Sequence, residues 1–442
     1  MNIQLSEHFN YRKLLRFTIP SIIMMVFTSI YGVVDGFFVS NIVGKIPFAA
    51  VNFIMPLLMV LAVPGFMFGT GGSALIAKTM GEGNKQKANN LFSFFVFCTF
   101  VVGIVVSALS ITFLPQIVRK LGAEGQMLED CIIYGRIILA SLPFFMLQLE
   151  FQTFFVTAER PKLGLCSTVI AGVTNIILDV LFMAVLRWGI VGAALATALS
   201  EFVGGIVPVI YFSRKNTSLL RLQKFSFDGK ALLKACVNGS SELMSNISMS
   251  LVGILYNLQL LKYAGENGIA AYGVLMYVNF VFISMFIGYI VGTAPVISYH
   301  YGAENHSELK SLLRKSIVII SSFAVVMFIL AQALANSIAQ IFVGYDKELM
   351  AMTLRGFRFF SFSFLFAGFA IFVSGFFTAL NDGLTSAIIS FLRTLIFQIV
   401  AVIIFPIILG IDGIWISVVF AEFMAVALTV FCIFLKQKKY QY

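Results

Sequence analysis

Charge is scarce in this chain. Only 11% of its 442 residues are Asp, Glu, Lys or Arg while 60% are hydrophobic, and that balance excludes a water-soluble globule. Cysteine is sparse too: Cys98, Cys131, Cys166, Cys236 and Cys432 all lie inside apolar runs without a CxxC spacing, so they read as small apolar residues, not disulfides or metal ligands. His8, His300 and His306 sit in loops or at helix ends with no ligand spacing. Strand-like alternation is missing, which argues against a membrane β-barrel. No GxxxxGK[ST] occurs, and Gly81-Glu82-Gly83 reads as a tight turn; energy from ATP is therefore not expected, and an ion or substrate gradient must supply it. No nucleophile, base and oxyanion set assembles, so the chain is not expected to be an enzyme or to hold a cofactor. The start lacks a cleavage-site pattern and runs into a full-length span, so no removable signal peptide is expected.

What the chain has is apolar length. A span needs about 20 apolar residues, and runs of that kind begin near Phe17, Phe48, Leu91, Cys131, Leu163, Gly189, Ala231, Gly268, Leu312, Met350, Asp382 and Ile414. The fold class this predicts is an all-α membrane protein with twelve transmembrane helices. With the amino terminus inside, twenty Lys and Arg fall in inner segments and six (Lys45, Arg119, Lys120, Arg187, Lys262, Lys347) in outer loops, or nine if Arg136, Arg355 and Arg358 are added. Both termini are expected to be cytoplasmic.

Sliding the sequence against itself by 221 residues aligns the halves without a gap. Gly32 falls on Gly253, Gly71 on Gly292, Gly81 on Gly302, Asn84 on Asn305, Gly135 on Gly356, Gly189 on Gly410, Gly192 on Gly413 and Glu201 on Glu422. Six helices per half put both copies in the same orientation, a parallel repeat about the membrane normal with a central cavity and alternating access by rocking. The expected organisation is a six-helix lobe over 1–212, a basic linker over 213–230 and a second lobe over 231–442. The linker's five basic residues read as a topology signal near anionic lipid headgroups of the bilayer, not as a nucleic-acid patch.

The repeat separates building residues from added ones. Asp35 falls on Tyr256, Asn175 on Ile396, Asp179 on Val400 and Thr197 on Val418. A carboxylate at membrane depth normally marks an ion or substrate path, and Asn175 and Asp179, four apart, share a helical face. Counting about 1.5 Å per residue from the helix ends puts all four at one level. Together they offer hard oxygen ligands for Na⁺, or a proton site, since two like charges in a low-dielectric pocket do not both ionise freely. The coupling ion is left open between H⁺ and Na⁺. The plainer alternative is a hydrogen-bonded network that only pins helices 1, 5 and 6. Pro20, inside helix 1, is a candidate hinge, or else it opens the first turn.

Other residues are weaker candidates. Glu201 and Glu422, being repeated, lean structural. Glu150 and Glu242 are candidates for a cavity that attracts cations, and Met55, Met59, Phe66, Met67, Phe144, Phe145 and Met146 for its soft apolar wall; lipid contact or bundle packing is the competing reading for each. Asp382 reads as a helix cap.

These features resemble the multidrug and toxic compound extrusion family over essentially the whole chain: twelve helices, the 6+6 repeat, the basic central loop, and AKTMGEGNKQKA after helix 2 with its counterpart at Gly302. The DinF-like branch is the most similar, with Asp35, Asn175, Asp179 and Thr197 matching its acidic and polar helix-1, -5 and -6 positions and Pro20 its helix-1 proline. The mid-helix-2 segment FGTGGSA points towards MepA-like multidrug pumps. The resemblance implies V-shaped lobes, a monomer in the plasma (inner) membrane, and H⁺ or Na⁺ antiport that exports cationic amphipathic small molecules. Helix 10 holds no Asp or Glu, which puts in doubt the second-half cation site of the other bacterial branch. A flippase for a lipid-linked precursor is the alternative; it would want a basic cavity, and Arg393 is the chief mid-membrane base.

Overall fold

A computed structural model describes residues 3–442, with the Val33 and Lys45 side chains outside the description. The Lys45 charge counted above is among them. The first half comprises α1 (Tyr11–Val43), α2 (Ile46–Gly81), α3 (Lys85–Lys120), α4 (Gly125–Thr157), α5 (Pro161–Val185) and α6 (Gly189–Ser213). A helical stretch Gly229–Gly302 follows, broken at Gly265, whose φ of 61° and ψ of −153° no helix contains. It supplies α7 (229–264) and α8 (266–302). The rest is α9 (His306–Val343), α10 (Lys347–Ala379), α11 (Gly383–Leu409) and α12 (Ile411–Tyr440). Twelve spans result, and no strand occurs among the described residues.

Several helices start before their apolar run does. α1 begins at Tyr11 and α9 at His306, because a polar side chain caps each start: Asn10 accepts from the Lys13 amide, and Asn305 from the Glu308 amide. Such caps satisfy amides that lipid cannot. Asn84 accepts from the Lys87 amide in the same way, so the repeated Asn84 and Asn305 are repeated caps. Asp382 caps α11 through the Thr385 amide and also takes the Tyr440 hydroxyl at 2.9 Å.

The repeated glycines mark where the halves touch. A Cβ on Gly81 would collide with the Tyr299 carbonyl, and one on Gly302 with the Lys78 carbonyl. Lys78 and Tyr299 are themselves 221 apart, so this α2–α8 contact is its own image under the pseudo-two-fold. Gly71 lies against Ala235 and Gly239, and Gly292 against Thr18; Thr18 and Gly239 are again repeat mates. All of these contacts lie in the halves of the helices nearer the face that carries the termini. There the amino-terminal segment adds a strap across both halves: the Leu5 amide donates to Glu159 at 2.6 Å, while the Phe9 amide and His8 reach Glu308 at 2.9 and 2.6 Å. Interlocked at the face that carries the termini, the halves can part only on the opposite face.

That closure depends on helices meeting backbone to backbone. Replacing Gly81 by Leu forces α2 and α8 apart by the width of a side chain, so the population shifts towards the conformer open at the terminal face. Spin labels at the exposed Glu82 and Glu304 should then separate by several ångströms, on the order of one side-chain diameter; an unchanged distance distribution would mean the contact does not hold the closure.

Four short π-helical segments widen the helices at Val39–Val43, Phe68–Gly72, Val180–Val185 and Leu392–Ile396. None has a π-helical partner 221 residues away. Single π turns collect at functional positions, and here they follow Asp35 and Asp179 and enclose Thr70 and Arg393.

Candidate functional site

The site begins with a missing side chain. Gly172 on α5 faces the rings of Phe27 and Tyr31 so closely that a Cβ there would sit 2.6 Å from Phe27. Its absence lets α1 and α5 approach, and one and two turns further along the same face stand Asn175 and Asp179. The Asp35 and Asp179 carboxyl groups are near enough for the charge of each to bear on the other. Asp35 is 7% exposed, Asn175 2% and Asp179 0%. Thr197 on α6 is half-buried, and its hydroxyl is sealed from solvent. The four side chains expected to share one level do lie on the three helices that pack together, α1, α5 and α6.

The polar atoms here have no partners. Asp35 Oδ1, both Asp179 oxygens, both amide atoms of Asn175 and Thr197 Oγ1 are buried without a hydrogen bond. Buried polar groups are paired in the great majority of cases, and two facing carboxyl groups need a proton or a cation between them. The chemistry of the set, two carboxyl groups with an amide oxygen and a hydroxyl, suits a proton or a small hard cation.

Two neighbours complete the surroundings. The Tyr134 hydroxyl of α4 is also buried, beside Thr197 and within reach of the charges of Asp35, Glu201 and Asp179. Sequence reading passed over it, although it falls on Arg355 in the repeat and so meets the same asymmetry test. Glu201 takes the Ser141 hydroxyl at 2.5 Å, the kind of hydroxyl contact expected of a building residue. Pro20 lies nine residues inside α1, buried, so it does not open the first turn. Its neighbours Ser21 and Ile22 carry the α1 contact to Gly288 of α8.

A large cavity lies in the other half. It measures about 460 Å³ and is walled by α7, α8, α10, α11 and α12, with Thr70, Ser73 and Thr153 reaching in from the first half. Glu242 lines it, as expected. The remaining cavity candidates do not. Phe144 lines a separate groove with Phe97, Phe100 and Phe225, and Met146 is fully buried with its backbone against Gly65. Met55, Phe66 and Phe145 pack on the first half's own core, and the Met67 backbone abuts Gly239. Met59 is 36% exposed and outside the cavity wall. Glu150 is fully buried, one turn short of Thr153, its two oxygens without hydrogen bonds. Apolar side chains that could face a cavity could equally face a neighbouring helix, and packing took them. Arg393 and Glu422, also in the cavity wall, form a two-pronged ion pair at 2.8 and 2.9 Å.

Comparison with known proteins gives the same architecture. The MatE family model matches residues 20–181 and again 243–404, once in each half. The chain is 27% identical to the multidrug export protein MepA of Staphylococcus haemolyticus over 96% of its own length and 93% of that protein's. It is 25% identical to MepA of Staphylococcus aureus, covering 93% and 91%. Among solved structures, an outward-facing multidrug resistance MATE family transporter superposes with a TM-score of 0.93 at 24% identity, over 99% of this chain and 98% of that one. A MATE crystallised with MaL6 gives 0.94 at 23% identity and the same coverage.

Proposed function

The chain belongs to the MatE family of membrane transporters, and from that premise we propose that it is an ion-coupled antiporter, exchanging H⁺ or Na⁺ for amphipathic cationic compounds. The observation that carries the coupling is the Asp35–Asp179 pair, buried and facing with no donor between. An empty pair of carboxylates is costly in a low-dielectric interior, so the first half gains stability when a cation or proton enters. Asn175 Oδ1 and Thr197 Oγ1 supply further oxygens to a bound Na⁺.

Coupling requires that occupancy change shape. α1 carries Asp35 towards one end of its span and the contact to α8 towards the other, with Pro20 inside that contact as the bend point. Filling the site pulls α1 towards α5, altering how Thr18 to Ile22 lie on α8 and so biasing the rocking of the 1–212 lobe against the 231–442 lobe. The excess of basic residues in the inner segments supports cytoplasmic termini and, in this reading, a place in the plasma membrane. The V then opens outward, the state that releases drug and admits the ion. The transporter works as a monomer in this scheme, since each chain contains both halves.

The names of the MepA relatives support multidrug export as the activity. A flippase reading fares worse: the cavity's one arginine is committed to Glu422, so no free base remains for a pyrophosphate. Ethidium efflux from proteoliposomes, with Na⁺ and pH gradients imposed separately, tests the proposal. One gradient should drive efflux and its collapse should stop it; efflux indifferent to both would overturn antiport.

A further inference from the structure

The linker between the lobes is fastened to one of them. Residues 220–228 form neither helix nor strand, yet three of their backbone amides are held by side chains of α3: Arg221 donates to Asn89 at 2.7 Å, Gln223 to Ser93 at 2.9 Å and Ser226 to Asn90 at 2.8 Å. The Leu222 amide donates to the Phe212 carbonyl at the end of α6, and Arg160 reaches the Thr217 carbonyl at 2.6 Å. The linker is therefore a fixed part of the first lobe's surface as far as Ser226. The repeat copies none of the α3 anchors, since Asn89, Asn90 and Ser93 fall on Lys310, Ser311 and Arg314.

What the linker completes is a groove of about 350 Å³, within the size range of ligand pockets. α3 and α6 both pack on α4, most closely at two glycines: a Cβ on Gly103 would come 2.7 Å from Pro143, and one on Gly205 2.5 Å from the Phe144 carbonyl. Beyond those contacts the groove is lined by Phe97 of α3, Phe144 of α4 and Val209 of α6, and by Gln223 and Phe225 of the linker. The Phe97 and Phe225 rings lie 5.1 Å apart. Apart from Ser93, which holds the linker, and Gln223, the lining is apolar, and the Gln223 side-chain nitrogen has no hydrogen-bond partner.

The linker adds charge to this apolar slot. Arg214, Lys215, Arg221 and Lys224 are all exposed, and among the described residues none of them pairs with a carboxylate. The linker's one acid, Asp228, is spent on capping α7 through the Ala231 amide at 3.0 Å. Phe225 and Phe227 interleave with the cations, and Phe227 is 79% exposed. In a chain set in a bilayer, unpaired basic residues among exposed aromatic rings belong at the headgroup level. An apolar slot ended by such a segment complements an amphiphile with a hydrocarbon chain and an anionic head.

We propose that the groove between α3, α4, α6 and the linker binds a phospholipid from the leaflet at the terminal face, with an acyl chain along Phe97 and Phe144 and an anionic headgroup held by Arg221 and Lys224. The site lies wholly within the first lobe, on residues separate from the carboxyl pair and from the second-half cavity. The lipid is a resident of the fold, carried with its lobe, and not cargo.

Native mass spectrometry of the full chain in detergent, with phosphatidylglycerol or phosphatidylcholine of equal chain length added, tests this. The wild type should hold phosphatidylglycerol roughly tenfold more tightly or better, the scale of one or two basic contacts. Arg221→Gln/Lys224→Gln should weaken phosphatidylglycerol by roughly 25-fold, about fivefold for each charge, and leave phosphatidylcholine unchanged. Val209→Trp fills the slot and should weaken both lipids; if it fails to fold, Phe225→Ala takes away the slot's end from an exposed linker position and should also weaken both. Equal retention of the two lipids by the wild type, or unchanged phosphatidylglycerol binding in the charge variant, overturns the anionic site. Wild-type binding of both lipids by Val209→Trp or, failing that variant, by Phe225→Ala overturns the groove as the place of the chain.

Discussion

Asp35→Asn inserts and folds like the wild type but no longer drives ethidium out of proteoliposomes against its gradient. The change keeps shape and removes the charge, so the facing Asp179 finds an amide donor where it had a second carboxyl group. The pair no longer needs a proton or a cation, and the free energy that ion entry supplied is gone. Coupling between sites is typically about 1–3 kcal/mol, or about 5- to 150-fold, so uphill efflux should fall by about a hundredfold. Because Asp35 and Asp179 act as one unit, Asp179→Asn should give the same loss and the double variant no more, the non-additivity expected of groups that share a ligand. Initial rates in an imposed Na⁺ or pH gradient give the measurement. Efflux by Asp35→Asn at the wild-type rate would leave the pair without a coupling role.

Much of this arrangement was legible beforehand, and the repeat is the reason. A duplicated membrane protein must solve its packing twice, so whatever serves packing recurs: Asn84 and Asn305 as caps, Gly81 and Gly302 at the closure, Gly71 and Gly292 beside it. What does not recur is free to serve something else, and Asp35, Asn175 and Asp179 are each buried on helices that pack together. Depth along a helix follows from 1.5 Å per residue, so their common level was also available.

The cavity wall was not legible, for a physical reason. Phe and Met are as comfortable against lipid or another helix as against a drug, so periodicity could not tell Phe144 or Met146 from a lining residue. Polar residues carried more information. Glu242, which costs too much to leave in lipid, was the one cavity candidate found in the wall. Arg393 was read as a stray base because its partner lies 29 residues on, across a helix hairpin; the combination of a glycine in one half and an arginine in the other was the available signal. The direction of opening was hidden as well. It depends on which helix ends interlock, which backbone contacts at Gly81 and Gly302 decide.

The second large effect separates an ion site from a structural network by moving stability and transport in opposite directions. Asp179→Leu should raise the apparent melting temperature in detergent while abolishing uphill efflux. Asp179 is fully buried and neither oxygen has a donor, and an unsatisfied buried polar group costs about 1–3 kcal/mol. Taking away one of two neighbouring carboxyl groups also removes the like-charge cost of ionising the other. The expected rise is a few degrees, on the scale of about 2–4 °C per kcal/mol for chains somewhat smaller than this one. The same half-turn of reasoning predicts the reverse at Tyr256, which stands where the second half repeats Asp35. Its hydroxyl donates to Gln398 at 2.9 Å and meets Ser417 at 2.8 Å; Tyr256→Phe strands the buried Gln398 oxygen, while Ser417 keeps the Ile414 carbonyl, and should lower the melting temperature by a similar amount. Sites that are kept for function are commonly paid for in stability, whereas groups that hold helices together are not. A fall in melting temperature for Asp179→Leu, matching that of Tyr256→Phe, would mean that the carboxyl pair pins α1 to α5 and that the coupling ion binds elsewhere.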